Sequence, residues 1–464
     1  MKLMTTYLPA DIRNIALLGH GGVGKTTLAE NLLLRMGAIP RMGSVNEATT
    51  VSDFDAEAKR HHHSTGSSLL FGVWEGKQIN IIDTPGHPEL VGQALAVLHA
   101  VDTAVIVVDA VLGVQDNTLR LFKAAGDLGL ARMIVVNRID QAAANLPFLI
   151  ASLKTELGDH LHCMNLPVRS ASDVVDCFDH DVGHADFGSV ADVHREMLES
   201  SIEVDDAEVD RYFAGEKIDL ANLRRCFVKA MVSGHVIPIL FTAGRSGVGV
   251  VDLLHILAAE GPSPTHARPR RMLRGSEEVA IECDQTAPFL AQVFKVTTDP
   301  QLGRLAMLRI LQGSLDSQTI FVSATDKKPR HANKVLRIEG RDRPEQAGSA
   351  FAGDIIALAK IEDLRVGDVL HAITVTDDYA ALPPSYPQPT LSLALEVVDR
   401  KEAGKLGVSL VQLVEEDPTL RYEHDPKTNA HILRGLGPLH LQVVIERLKS
   451  RYAIEVKTHP AATA

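Results

Sequence analysis

The chain has 464 residues, room for roughly three domains of about 150 residues each. Its hydrophobic share of 45% and charged share of 23% are ordinary for a globular protein, and a net charge of −12 gives no support to non-specific binding of DNA. Cys163, Cys177, Cys226 and Cys283 lie far apart with no C-x-x-C, so neither a disulfide framework nor a zinc ribbon is indicated and a reducing cytoplasm fits. The most apolar long stretch, Ala94 to Val114, is broken by His99, Asp102 and Asp109 and is not expected to span a membrane; the first residues lack a signal-peptide layout.

In chain order, the first expected element is a buried strand at Ile15–Leu18. It is followed by Gly19-His20-Gly21-Gly22-Val23-Gly24-Lys25-Thr26-Thr27 and then a helix over Leu28–Met36. This fits G-x-x-x-x-G-K-[ST] in the strand–loop–helix setting that makes it a phosphate-binding loop. Glycines let backbone N–H groups face phosphate oxygens, Lys25 reaches the β- and γ-phosphates, and Thr26 offers a hydroxyl to Mg²⁺. A second strand, Ile79–Ile82, ends in Asp83-Thr84-Pro85-Gly86-His87, an acid for the Mg²⁺ shell and a glycine N–H suited to sensing a γ-phosphate. Buried strands follow at Ala104–Asp109 and Met133–Val136, the latter running into Asn137-Arg138-Ile139-Asp140. A carboxylate at Asp140 can accept from both N1–H and the exocyclic amine of guanine, and adenine would leave those acceptors unpaired. The strand Pro238–Phe241 then ends in Thr242-Ala243-Gly244, with Thr242 a small polar residue placed to back the base.

Residues 11–260 alternate apolar strands with helical patterns, which predicts a parallel α/β sheet. The expected first domain is 1–264, loosened by an acidic, histidine-bearing insert at about 157–236. A basic run, Arg268 to Arg274, reads as a solvated interdomain linker rather than a nucleic-acid face. Short β-type runs over 285–375 predict a small antiparallel barrel: Phe289–Val296, Leu305–Leu311, Thr319–Val322, Lys334–Ile338 and Asp354–Ala359. After a stiff Pro-rich linker at 381–387, residues 388–460 read strand, helix, strand, strand, helix, strand, a ferredoxin-like plan.

Taken together, the chain resembles the translational GTPases, and among them elongation factor G. The marks are H-x-x-x-G-K-T-T at 20–27, D-T-P-G-H at 83–87, N-x-x-D at 137–140 and Val107 to Val114. Further on come Glu415-Glu-Asp-Pro-Thr419 and Gly435-Leu-Gly-Pro-Leu-His-Leu441. The resemblance implies a Mg²⁺-dependent GTPase that binds GTP and GDP and acts as a monomer at the ribosomal factor-binding site, with no membrane or DNA partner. It implies that His87 orients the attacking water or stabilises charge near it, and that loops 45–72 and 86–95 are order–disorder switches.

Three departures temper this. Where the family has R-G-I-T-I, this chain has His61-His62-His63-Ser64-Thr65. Ser64 keeps a hydroxyl for Mg²⁺ on a looser rotamer, and Thr65 is a competing candidate. The three histidines could form a metal site, but adjacent loop residues rarely converge, so a plain switch loop is expected. Gly21 and Gly22 replace the usual apolar residue and Asp; with His63 in place of Ile, both halves of the apolar gate over His87 are missing. Arg138 stands for Lys and Thr242 for Ser. Finally, the family continues with two more domains, whereas this chain stops at Ala464 behind a polar tail, 458–464, expected to be disordered. The short form is not expected to support translocation. The alternatives are a nucleotide-gated ribosome-binding regulator with little or no hydrolysis, or a fragment of a longer factor.

Overall fold

The computed structural model describes residues 7–53, 55–299, 302–338, 345–382, 384–425 and 430–461. Its first region is built on a seven-stranded sheet: β1 (Ile12–Leu18), β2 (Ser68–Trp74), β3 (Lys77–Asp83), β4 (Thr103–Asp109), β5 (Ala131–Asn137), β6 (Leu161–Cys163) and β9 (Ile237–Phe241). The order is β2-β3-β1-β4-β5-β9-β6, parallel apart from β2 against β3. The central strands β1, β3, β4, β5 and β9 are almost wholly buried because helices cover both faces. Leu18, Ile82, Ile106 and Val136 point to one core, and Leu17, Ile81, Val105 and Val135 to the other. Around them lie α1 (Lys25–Arg35), α2 (Ala56–His61), α3 (Val91–Val97), α4 (Asp116–Asp127), α5 (Leu146–Leu157), α6 (Val190–Ile202), α7 (Asp206–Phe213), α8 (Leu220–Ser233) and α9 (Val250–Ala259).

The insert carries regular structure. β6 joins the main sheet beside β9, and a hairpin of β7 (Asn165–Val168) and β8 (Asp173–Asp176) leads into α6. Phe227, Ala230 and Met231 of α8 belong to the same core as β1.

The second region contains β10 (Arg270–Arg274), β11 (Glu277–Ile281), β12 (Leu290–Asp299), β13 (Gly303–Gln312), β14 (Ser314–Asp316), β15 (Ile320–Ser323), β16 (Pro329–His331), β17 (Val335–Arg337), β18 (Glu345–Gln346), β19 (Ser349–Phe351), β20 (Ile355–Ala359), β21 (Val369–Ala372) and β22 (Tyr379–Ala381). An eight-stranded antiparallel sheet, β16-β15-β21-β12-β13-β20-β17-β18, wraps its own apolar core to make the barrel. The basic run at 268–274 is therefore not a solvated linker. β10 pairs with β11 and β22, and Arg270 is held by Asp102 and the Val101 carbonyl. Arg268 and Arg271 stay exposed but donate to the Ser233 and Asp127 carbonyls, so the run is hydrogen-bonded to the first region.

The third region is β23 (Leu391–Val397), α10 (Ala403–Glu416), β24 (Arg421–Asp425), β25 (Ala430–Gly435), α11 (Pro438–Tyr452) and β26 (Val456–Pro460). The sheet order β24-β25-β23-β26 is the ferredoxin-like plan, with a core of Leu395, Leu406, Leu410, Leu433, Leu441 and Leu448. Here the expected disordered tail needs correction: Thr458, His459 and Pro460 pair with Leu395, Ala394 and Leu393. Residues 462–464 lie outside the described residues, as does Pro383 of the expected linker. No helix among the described residues is long and apolar enough to cross a membrane.

Candidate nucleotide-binding site

The site grows from the C-terminal ends of β1, β3, β5 and β9, where the parallel sheet delivers its loops to one edge. Gly19 leaves β1 with φ +133°, and a Cβ there would lie 2.3 Å from the Val107 carbonyl oxygen. Gly24 ends the loop at φ +92°, pressed so close to the Asn137 amide that a Cβ would sit 2.5 Å from it. Only glycine satisfies both the backbone conformation and the closeness. Gly24 then caps α1, so the first helical N–H groups face the loop.

Lys25 is buried and donates to the carbonyls of Gly19 at 3.0 Å and His20 at 2.7 Å. Burial lowers its pKa to about 8. Beside it, Thr26 donates to Asp83 at 2.8 Å, and the Ser64 hydroxyl is 3.2 Å from that of Thr26. Ser64, and not Thr65, is thus the hydroxyl brought to the loop; Thr65 is buried with its Oγ1 unpartnered elsewhere. Burial, reinforced by the nearby Asp53, raises the Asp83 carboxyl to about 7. Burial likewise raises Asp53. Asp83 Oδ1 and Asp53 Oδ2 are both buried without a partner. Two such oxygens beside two hydroxyls form a hard, all-oxygen donor set that fits Mg²⁺. The three adjacent histidines do not converge on an ion: His61 faces Glu446, His62 faces the Val45 carbonyl, and His63 turns toward His87.

A third close glycine contact is at Gly86, where a Cβ would lie 2.3 Å from Lys25 Nζ and 2.5 Å from the His20 carbonyl oxygen. Asn117, at the start of α4, donates to the Gly86 carbonyl at 3.0 Å. His87 follows, half-buried, with Nδ1 accepting from the Glu89 N–H at 3.3 Å. The His63 ring lies over it, centroids 6.1 Å apart and planes 16° from parallel. Burial lowers the pKa of both rings, which favours their neutral forms. A cavity of about 420 Å³ opens alongside, lined by His20, Pro88, Gln115, Asp116, Asn117 and Arg120.

On the far side, Asn137 acts as a brace. It donates to the Val23 carbonyl at 2.9 Å and accepts from the Gly244 N–H at 2.8 Å and from Thr242 at 3.3 Å. Arg138 adopts φ +66° and pairs with Asp109 at 2.9 Å, while Ile139 is buried. Asp140 is exposed and accepts from Ser246 at 3.3 Å. Thr84 donates to the Leu17 carbonyl and locks β3 to β1. Sequence reasoning missed Asp53, Asn117 and Ser246. Ser246 stands two residues after the Thr-Ala-Gly run and could have been found from it; Asp53 and Asn117 carry no local signal.

Residues 10–263 match the family model described as the elongation factor Tu GTP binding domain, more than half of the chain. This protein belongs to the translational GTPases. Residues 288–373 match elongation factor G domain 2, and residues 386–460 match elongation factor G domain III, which makes it an elongation factor G-like member. Curated relatives include the elongation factor G-like protein of Mycobacterium tuberculosis, in strains CDC 1551 and H37Rv. Each is 30% identical over 482 aligned residues, covering 97% of this chain and 67% of the relative. Among solved structures, a protein from Thermus thermophilus superposes with a TM-score of 0.83 at 31% identity, over 97% of this chain and 67% of that one. The chain therefore spans about two thirds of the length of the relatives it matches.

Proposed function

We propose that this protein is a Mg²⁺-dependent GTPase acting in the cytoplasm, as a monomer, at the factor-binding site of the ribosome. The observation that carries the reading is the convergence of Lys25, Thr26, Ser64 and Asp83 at one end of the loop with Asn137 and Asp140 at the other. The loop N–H groups and Lys25 hold the phosphates, the lysine turning from its two carbonyls to do so. Thr26 and Ser64 are the Mg²⁺ ligands and Asp83 stands behind them; when bound, Mg²⁺ neutralises charge on the β- and γ-phosphates. Asp140 accepts the two guanine donors, with Asn137 bracing the loop beneath and Thr242, Ala243 and Gly244 behind the base. Gly86 presents its N–H to the γ-phosphate. His87, its Nδ1 engaged by Glu89, carries its proton on Nε2 when neutral. In that tautomer it donates a hydrogen bond to water or phosphate and does not abstract a proton.

A second reading, a nucleotide-gated ribosome-binding protein with little hydrolysis, is favoured by one observation: Gly21, whose Cβ position is 3.9 Å from the His87 N, offers no side chain there. Fluorescent GTP, GDP and ATP titrations, followed by single-turnover hydrolysis with and without ribosomes, separate the readings. Equal affinity for ATP and GTP overturns guanine recognition. His87→Ala is expected to leave GDP binding intact and, through loss of the Nε2 donor, slow hydrolysis by about a hundredfold. Hydrolysis undetectable with ribosomes present leaves the second reading.

A further inference from the structure

The segment carrying Ser64 is held from outside the nucleotide domain by two cations that belong to different regions. Arg447, on α11, is only 7% exposed and donates from Nη2 to the Thr65 carbonyl at 3.0 Å. Lys295, on β12 of the barrel, donates from Nζ to the Ser67 carbonyl. Between them Gly66 lies close enough that an added Cβ would come within 3.7 Å of Arg447 Nη2. A backbone carbonyl bonded to a buried charged donor is expensive to turn, so the chain is pinned one and three residues beyond Ser64.

The same face of α11 takes the preceding turn of the segment. Glu446 pairs with His61 at 3.1 Å and Arg60 at 3.0 Å, and Ser450 donates to Glu57 at 2.6 Å. One turn and a half earlier on the helix, the His440 N–H donates to Glu89 at 3.0 Å, two residues after His87. A single helix thus touches both loops that flank the phosphate end of the site.

We propose that Arg447 and Lys295 are positioning residues that set Ser64 against Thr26, so that α11 and the barrel together determine Mg²⁺ retention by the nucleotide site. The inference rests on the GTPase reading above. Neither cation touches nucleotide, and GDP held through the loop, Asn137 and Asp140 does not depend on them.

The test uses the full chain with N-methylanthraniloyl-GTP and -GDP, Mg²⁺ titrations, and limited trypsin cleavage at Arg60, whose side chain is 60% exposed. Arg447→Met keeps length and packing and removes the donors. It is expected to raise the Mg²⁺ concentration that half-retains the GTP analogue by about tenfold, the low end for one hydrogen bond to a charged group. Cleavage at Arg60 in the GTP–Mg²⁺ state should speed up, and affinity for the GDP analogue without Mg²⁺ should stay within about twofold, as for a site with no shared partner. Lys295→Met should act in the same direction and less than additively with Arg447→Met; Arg447→Lys should recover part of the loss. Thermal melting identifies any variant that fails to fold, and Lys295→Met carries the test if Arg447→Met does. Wild-type Mg²⁺ dependence and wild-type trypsin protection in both folded Met variants overturn the proposal and leave the two cations as interdomain packing. Failure of the wild-type chain to bind the GTP analogue overturns the GTPase reading itself, and this inference with it.

Discussion

The nucleotide domain is joined to its two neighbours in different ways. Against the barrel the joint is a continuation of the core: Phe294, Leu305, Met307, Leu336 and Ala357 belong to the same apolar cluster as Ile82 and Ile106. At its centre Asp102, 2% exposed, accepts from Asn14 at 2.8 Å, from Arg270 at 3.0 Å and twice from Arg309 at 3.0 Å. Against the third region the joint is mostly polar and touches the loops around the phosphate end through Glu89, Gln93, Thr65 and Glu57. Apolar area and a closed ion cluster leave a joint no second arrangement of similar energy. The joint to the third region shares less apolar core and rests on individual hydrogen bonds and ion pairs. The barrel therefore shares its core with the nucleotide domain, whereas the third region meets that domain chiefly through polar contacts.

The sharpest way to break this comparison is Asp102→Ala. It strands two buried guanidinium groups and is expected to destabilise the nucleotide domain and barrel together by about 3–5 kcal/mol in urea unfolding. If the two regions then unfold in separate transitions, the shared-core description fails.

On the polar side, Asp417 is buried against His440 at 3.2 Å and also accepts from Thr419 at 2.6 Å. Burial alone would raise its pKa; the His440 and Thr419 contacts outweigh that and hold the carboxyl at about 2. Its folded value lies below the unfolded one near 4, so the stabilisation is present above pH 4 and is lost as pH falls from about 4 to 2. Asp417→Asn is expected to destabilise the third region by about 2 kcal/mol at pH 7 and to flatten its acid transition in that window. Calorimetry across pH 2–7 checks both.

Gly92→Ala probes the same joint sterically, because a Cβ would lie 2.5 Å from Thr419 Cγ2. The expected loss is about 1 kcal/mol, confined to docking of the third region and read as faster proteolysis with unchanged GDP affinity. The smallest effect belongs to Gly21→Ala. A Cβ there meets Gly86 only at 3.8 Å, an ordinary contact, so stability should move by less than about 0.5 kcal/mol. A change in hydrolysis rate by this variant, with stability constant, would show that the missing side chain beside His87 matters to chemistry.

Much of this was legible in the sequence. The α/β, barrel and ferredoxin-like order followed from hydrophobic period and turn residues, and the strand ends fell within a few residues of those observed. The Gly19–Thr27, Asp83–His87 and Asn137–Asp140 loops could be placed at strand ends from the sequence because each is a contiguous run whose backbone geometry depends on its own glycines and strand ends. Even Glu415–Thr419 and Gly435–Leu441, read only as resemblances, proved to be the runs that meet Gln93 and Glu89.

What the chain's order of residues could not decide was which side chains meet across long separations. Ser64 against Thr65 is a choice of one residue: the Ser64 hydroxyl is the one 3.2 Å from that of Thr26, in a segment whose carbonyls on either side of Gly66 are bonded from α11 and β12. Arg270 read as a solvated linker because its partner, Asp102, lies 168 residues earlier. His63 over His87, Asp53 beside Asp83 and Asn117 under Gly86 likewise exist only once helices and sheet are docked. Local runs determine backbone shape because their interactions are within the run; pairings between domains carry no local pattern, since any two residues can be brought together at the cost of loop entropy that grows slowly with separation.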